Sequence, residues 1–356
     1  MSKPRLRYLL FYVTSRCNLR CSHCFYLDEL NKHDEMSIEE IEKVAASVRP
    51  LTFLRMTGGE PFLRKDLPDV IDCFYRIAGT RRMGLISNGT RAEWAERAVN
   101  GIFERCPDLT LDIGISVDGL PEVHDEIRGL KGSFDMAKRT AETLIGLQAH
   151  YSGLKTSLVL TVTSANQNQL EPFYEEVSAW GVDRLSVNHV RGKVHDPELL
   201  EVDYDQYQAF AKRCEDYHLS HDTSWKAGLQ RAKNRVARQA ISEVVGGSNS
   251  QVPCLAGSAI GVLYSDGNVA LCEMLEGPLP EVDGAETGNA LLGNVREVDH
   301  DFYRIWHSEN TEKCREWIKA TNCSCSHECF LTASILFGKK NYPQLAKEWL
   351  TMGVES

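Results

Sequence analysis

The chain has 356 residues, which at about 150 residues per domain suggests two domains, or one large barrel with an appendage. With 42% apolar and 25% charged residues, 26 Gly and 12 Pro, it is neither collagen, coiled coil nor a wholly disordered chain. Against 50 Asp and Glu stand 40 Lys and Arg, a net charge of −10 that argues against a general binder of nucleic acid or anionic membrane.

The first residues contain no signal-peptide core followed by a small-residue cleavage site, and no stretch approaches the apolar length of a transmembrane segment. The expectation is a cytoplasmic protein. There the 12 cysteines serve as metal ligands more readily than as disulfides.

From residue 5 to about 192, strand-like and helix-like segments alternate. Short apolar, β-branched runs predict strands at 6–13, 52–56, 83–87, 110–117, 156–163 and 184–189. Amphipathic stretches predict helices at 37–49, 67–78, 91–105, 133–148 and 168–180, the last stopped by Gly181. Residues 37–49 are the clearest. Ser37 and Glu40 form a capping box, and Ile38, Ile41, Val44, Ala45 and Val48 recur on one face. Six βα repeats imply parallel strands and are too few for a closed eight-stranded barrel. The fold class is therefore α/β: a partial (β/α)6 TIM-like barrel over 1–200, a helical insert or linker over 201–250, and a small C-terminal α+β domain over 251–356. In LDIGISVDG (111–119), Leu111, Ile113, Ile115 and Val117 share one face, and Asp112, Gly114, Ser116 and Asp118 the other. Such a small, polar inner face suits a ligand. Residues 203–246 predict one or two helices, and 242–254 a Gly/Ser-rich loop. GVLYSDGNVALC predicts a hairpin turning at Asp266-Gly267 or Gly267-Asn268, and a helix is expected near 299–319. CSCSHEC and a helical tail follow.

The sharpest motif is Cys17-Asn-Leu-Arg-Cys21-Ser-His-Cys24, directly after the first predicted strand. Three soft thiolates on one loop suit three irons of a [4Fe–4S] cluster, with the fourth iron open, or a zinc ion completed by His23 or Cys73.

This C-x3-C-x2-C, together with Gly58-Gly59-Glu60-Pro61 after strand two and the polar strand near Ser116, resembles the radical S-adenosylmethionine (SAM) enzymes over about residues 7–192. The resemblance implies a cluster that binds SAM at its open iron and cleaves the sulfonium with one electron. A 5′-deoxyadenosyl radical then takes a hydrogen atom from a substrate. It also implies roles for single residues. Gly58, Gly59 and Glu60 hold the SAM amine, His23 stands near adenine, and Ser87 and Asn88 line the pocket. Ser116 and Asp118 bind ribose, and Arg128 pairs with the SAM carboxylate. Asn188, with His189, ends the last barrel strand at the same rim. A flavodoxin- or ferredoxin-type reductant is the implied partner, with no nucleic acid.

Beyond residue 250, Cys254-x12-Gly267-x4-Cys272 frames the hairpin, and Cys323, Cys325 and Cys329 follow. This resembles the auxiliary-cluster extension called SPASM, or Twitch in its shorter form. Full SPASM has seven cysteines and two clusters. Five here imply one auxiliary [4Fe–4S] cluster, held by four of Cys254, Cys272, Cys323, Cys325 and Cys329, with a zinc knuckle as the alternative. Cys73, Cys106, Cys214 and Cys314 read as buried free thiols, and His124, His195, His300 and His307 as ordinary surface or core residues.

Members with such extensions act on peptides or on small molecules such as sugars. No leader-binding domain precedes Cys17 in this sequence, which tilts the expectation toward a sugar, nucleoside or lipid-linked small molecule, or a peptide delivered by a partner. A peptide maturase is the alternative. A non-catalytic iron–sulfur scaffold or electron-transfer protein is the alternative of another class, but it would have no use for GGEP, Ser116, Asp118 or Arg128. Basic residues at 191–195 and 231–238 suggest a phosphate or carboxylate on the substrate, or a solvated helix face.

Overall fold

The computed structural model describes residues 3–32, 34–219, 225–282 and 287–352. Two compact units emerge: Phe11–His218 with Tyr264–Asp266, and Met1–Leu10, Leu219–Leu263 and Gly267–Ser356.

The first unit is built on six strands: β1 (Tyr8–Thr14), β2 (Phe53–Gly58), β3 (Arg82–Ser87), β4 (Thr110–Ser116), β5 (Leu154–Val162) and β6 (Arg184–His189). They lie side by side in chain order, and β2 through β6 pair in parallel. Between these strands in the chain run α1 (Ile38–Ser47), α2 (Leu67–Asp72), α3 (Ala92–Arg105), α4 (Pro121–Arg128), α5 (Ser133–Leu147) and α6 (Leu170–Ser178). This is the expected partial barrel. Each predicted strand agrees with the observed one to within two residues at either end.

Alternation of side chains explains the layers. On β4, Leu111, Ile113, Ile115 and Val117 are fully buried, and Ile115 packs toward Ala137 of α5 across Gly89. The opposite face carries the polar set. The capping box forms as expected, with the Ser37 hydroxyl accepting from the Glu40 amide and the Glu40 carboxylate from the Ser37 amide. Ile41, Val44, Ala45 and Val48 are all buried beneath it. Arg64, only 3% exposed, ties the rim together. It donates to the Val13 carbonyl at 2.7 Å and the Met36 carbonyl at 2.9 Å, and pairs with Asp66.

After β6 come α7 (Tyr204–Leu219) and α8 (Trp225–Val245). The expected boundaries at 200 and 250 shift here. The Tyr217 hydroxyl donates to the Ser178 and Val182 carbonyls, which fixes α7 to the barrel unit, whereas α8 packs on the C-terminal helices. The 201–250 stretch is thus divided between the two units and is not a separate insert.

The second unit holds β7 (Ile260–Leu263), β8 (Asn268–Ala270) and β9 (Leu291–Asn294), an antiparallel set. It also holds α9 (Phe302–Trp306), α10 (Glu309–Thr321), α11 (Glu328–Phe337) and α12 (Tyr342–Met352). The hairpin is present, with Gly267 at φ +89° in its turn. The single helix expected over 299–319 is two helices, because the Ser308 hydroxyl accepts from the Thr311 amide and caps a new start. Arg315, 4% exposed, donates to the Gly257 and Trp306 carbonyls and pins α10 under the fully buried Trp306. Among the described residues no helix is long and apolar enough to cross a membrane.

Candidate active site

The loop leaving β1 carries Cys17, Cys21 and Cys24, all free thiols. Its shape is set locally. Arg16 pairs with Glu35 at 2.6 Å, the Cys17 amide donates to Asn31 Oδ1 at 3.0 Å, and the Cys24 amide donates to the Cys21 carbonyl at 3.1 Å. The Ser22 amide reaches the Ile127 carbonyl on α4 at 2.9 Å, which fixes the loop against that helix. Burial pushes the Cys17 and Cys24 thiols up to about 11, and nearby cysteine thiols add to the rise of each. Thiols held that high lose their protons only against added positive charge, which the irons of a cluster supply. Among the described residues, no three His, Cys, Asp or Glu side chains are drawn together as a ready site for a metal ion.

Beside the loop stands a charge cluster that the sequence shows only in part. Asp118, fully buried, lies 2.6 Å from Arg128 Nη2. Its Oδ1 accepts from the Thr161 amide at 3.0 Å, and its own amide donates to His124 Nδ1 at 2.9 Å. Burial alone would raise the Asp118 carboxyl, but the neighbouring positive charge, that of Arg128 foremost, holds it below the usual range. Burial would lower Arg128, but Asp118 and Cys21 hold it above its ordinary value. Arg128 Nη1 is 3.7 Å from the Cys21 sulfur. Burial lowers His23, leaving a neutral imidazole with Nε2 3.6 Å from Asp118. Four polar atoms in this cluster, Arg128 Nε, His23 Nδ1, His124 Nε2 and Asp118 Oδ2, are buried without a hydrogen-bond partner. A cationic donor and a ring nitrogen left unmet beside the Cys21 thiol suit a polar ligand that carries a carboxylate, such as SAM.

His124, expected to be ordinary, belongs to this cluster. Its signal was available, because His124 and Arg128 are one turn apart on α4 and so share a face. Asn166, also missed, braces Asp118 by donating to its carbonyl at 2.8 Å.

Several expected ligand groups have other partners. Glu60 is fully buried. Its Oε1 accepts from the Phe62 amide at 3.0 Å and the Ser87 hydroxyl at 2.9 Å, and its Oε2 accepts from the Asn88 amide at 2.6 Å. Burial outweighs these bonds and raises its carboxyl. Ser87 and Glu60 therefore lock the ends of β2 and β3 together. The Asn88 side chain is likewise engaged, donating to Asn18 and accepting from Thr90. Gly58 and Gly59 are needed for close packing of the chain itself. A Cβ would stand 2.2 Å from the Thr14 carbonyl oxygen at Gly58 and 2.1 Å from that of Arg16 at Gly59. Asp118, expected on ribose, is committed to Arg128 and Thr161, and Arg128 spends one nitrogen on Asp118. Ser116 is buried at the end of β4, and Asn188 is half-buried near the end of β6, on the same polar face by register. Next to the third cysteine, Tyr26 packs on Tyr12 and Tyr264 with ring centroids 4.7 and 6.0 Å away, an aromatic wall not anticipated.

In the second unit, Cys254 donates a hydrogen bond to Cys323, which raises the first thiol and lowers the second. Burial pushes Cys272 up to about 12, with Cys325 and Cys323 adding to it. Cys254 thus neighbours Cys323, and Cys272 feels the Cys325 and Cys323 thiols. Cys329 is on the first turn of α11, its amide donating to His327 Nδ1 at 3.3 Å. His327 also meets Glu273, the neighbour of Cys272, in a buried contact. Cys73, Cys106, Cys214 and Cys314 are buried free thiols, as expected.

The family model of the Radical SAM superfamily matches residues 11–176. These residues form a radical SAM domain. Among its relatives, Fe-coproporphyrin III synthase of Methanosarcina barkeri is 28% identical over 195 residues, 53% of this chain and 45% of that protein. A GTP 3′,8-cyclase of Haemophilus influenzae is 30% identical over 187 residues, 50% of each chain. The subtilosin biosynthesis protein AlbA of Bacillus subtilis is 26% identical over 212 residues, 58% of this chain and 45% of that protein. The chain thus spans about half the length of these relatives. The solved structure of native anSMEcpe with bound AdoMet shares the fold at TM-score 0.58 and 18% identity, covering 98% of both chains. Streptococcus suis SuiB bound to its precursor peptide SuiA does so at 0.56 and 14%, covering 86% of this chain and 66% of that one. Enzymes of the radical SAM superfamily use a [4Fe–4S] cluster and SAM.

Proposed function

We propose that this protein is a radical SAM enzyme that abstracts a hydrogen atom from a small molecule or a partner-delivered peptide in a biosynthetic or maturation pathway. Cys17, Cys21 and Cys24 hold the SAM-binding cluster. Four of Cys254, Cys272, Cys323, Cys325 and Cys329 hold one auxiliary [4Fe–4S] cluster. When bound, the first cluster supplies the electron that splits the sulfonium of SAM into methionine and a 5′-deoxyadenosyl radical, and the second offers a path for an electron leaving the substrate. The observation that carries the reading is Arg128: a buried guanidinium 3.7 Å from a cluster-loop thiol, with an unmet Nε.

The chain's own residues divide the work. Arg128 presents Nε to the SAM carboxylate while Asp118 keeps it charged and aimed. Neutral His23 offers a ring face and a nitrogen to the adenine end. Ser116 and Asn188 line the polar face against ribose or substrate. Glu60, Ser87 and the two glycines hold the rim rigid, so that carbonyls at the end of β2 reach the SAM amine. A ferredoxin- or flavodoxin-type protein delivers the electron. Peptide substrates remain the second reading, supported by the fold shared with SuiB, whose structure contains its precursor peptide.

Replacing Arg128 tests this assignment. Arg128→Met removes the partner of a buried carboxylate and is expected to destabilise the fold by about 3 to 5 kcal/mol. The double variant Arg128→Met/Asp118→Asn restores charge balance and is the one to measure. Its SAM affinity, read by the change in the reduced cluster's electron paramagnetic resonance signal, should fall at least about tenfold with iron content retained. Wild-type affinity in that variant would remove Arg128 from the SAM site.

A further inference from the structure

The exposed apolar side chains of this protein are unevenly placed. Of the ten large ones among the described residues, seven lie on α8, α11 and α12 of the second unit. On α12, Tyr342, Ala346, Trp349 and Leu350 recur at i, i+4, i+7 and i+8, the stripe of a helix that packs against a neighbour. Here all four are exposed, Tyr342 at 48%, Trp349 at 44% and Leu350 at 63%. On α8, Trp225, 65% exposed, and Leu229 stand one turn apart. Gly228 lies on the adjoining face of that helix, where a Cβ would stand 2.7 Å from the Trp349 indole nitrogen. The two helices therefore bring both tryptophans and Leu229 into one patch.

Lysines surround it. Lys226 on α8, Lys339 and Lys340 in the short turn Lys339–Asn341, and Lys347 on α12 are all exposed. None of the four joins an ion pair among the described residues. The acids are engaged elsewhere. Glu348, the one acidic residue of α12, pairs with Arg235 at 3.1 Å, and Glu243, the one acidic residue of α8, lies near the opposite end of that helix from Trp225. In a chain of net charge −10, this face is cationic.

We propose that this face of α8 and α12 docks the protein peripherally on a bilayer that carries anionic lipids. Indole and phenol rings settle at the boundary of headgroups and acyl chains, leucine enters it, and lysine reaches the anionic headgroups. Protein–protein interfaces are by contrast depleted in lysine, and a second copy of this face would set lysines against lysines. The acidic whole confines the contact to this one face. The basic residues noted in the sequence take no part: Arg231, Lys233 and Arg238 are half-buried, Arg235 is paired, and Lys193 and His195 face Asp28.

Flotation of the cluster-loaded protein with vesicles of phosphatidylcholine containing about 30% phosphatidylglycerol, and with vesicles of phosphatidylcholine alone, tests the proposal. Binding to the anionic vesicles should be the stronger by about tenfold or more at low salt, and should weaken as salt is added. Trp225→Ser/Leu350→Ser, at the two most exposed positions, should weaken it by about tenfold or more. Lys339→Glu/Lys340→Glu/Lys347→Glu should remove the preference for anionic lipid. Both variants change surface side chains only and should keep the iron content of the wild type. No binding, equal binding to both vesicles, or variants that float as the wild type does would each overturn the proposal. Light scattering then assigns the face: a dimer lost in Trp225→Ser/Leu350→Ser gives it to a second copy, and a monomer to an acidic protein. Vesicle binding needs neither SAM nor a reductant, so its failure leaves the proposed radical chemistry untouched.

Discussion

Changing Cys17, Cys21 and Cys24 together to alanine should remove about four of about eight irons from anaerobically reconstituted protein and abolish 5′-deoxyadenosine formation. The three thiols share one loop whose backbone is fixed by Asn31, by an internal turn and by the Ile127 carbonyl, so the variant should still fold. Iron and sulfide assays with visible absorption check it. Full retention of iron, or zinc in its place, would contradict the assignment.

The second large effect is expected at the other cysteine group. Cys254→Ala should also lower iron from about eight to about four, because it removes the thiol that hydrogen-bonds Cys323 and leaves a four-iron cluster short of a ligand. Formation of 5′-deoxyadenosine should persist, since the N-terminal loop is intact. The two-electron-oxidised product, lighter by two hydrogens, should be lost. Mass spectrometry of the product and the ratio of 5′-deoxyadenosine to product check this. An isomeric or adduct product in the wild type would show that no electron leaves through the second cluster.

The barrel was legible because its signals are local. Period-two apolar runs fixed six strands, and the Ser37–Glu40 box fixed the start of α1. The eight residues of α4 escaped because Leu120 gives no capping side chain and PEVHDEIR is mostly polar. β9 escaped because Leu291 is exposed and Gly293 interrupts the pattern. Within the site, residue types and spacing gave the cysteines, and the resemblance gave Arg128. Spacing could not reveal that Glu60 is spent on Ser87 and Asn88, 27 and 28 positions away, nor that Asp118 is spent on Arg128. Those pairings depend on how strand ends meet in space.

The account's central claim is tested most directly by incubating the reconstituted, dithionite-reduced wild-type protein with SAM and measuring 5′-deoxyadenosine and methionine by chromatography. Equal amounts of both, formed only under reduction and lost in the triple cysteine variant, are the predicted result. Intact SAM after reduction of a protein that holds its full iron would contradict it and leave an iron–sulfur scaffold without radical chemistry.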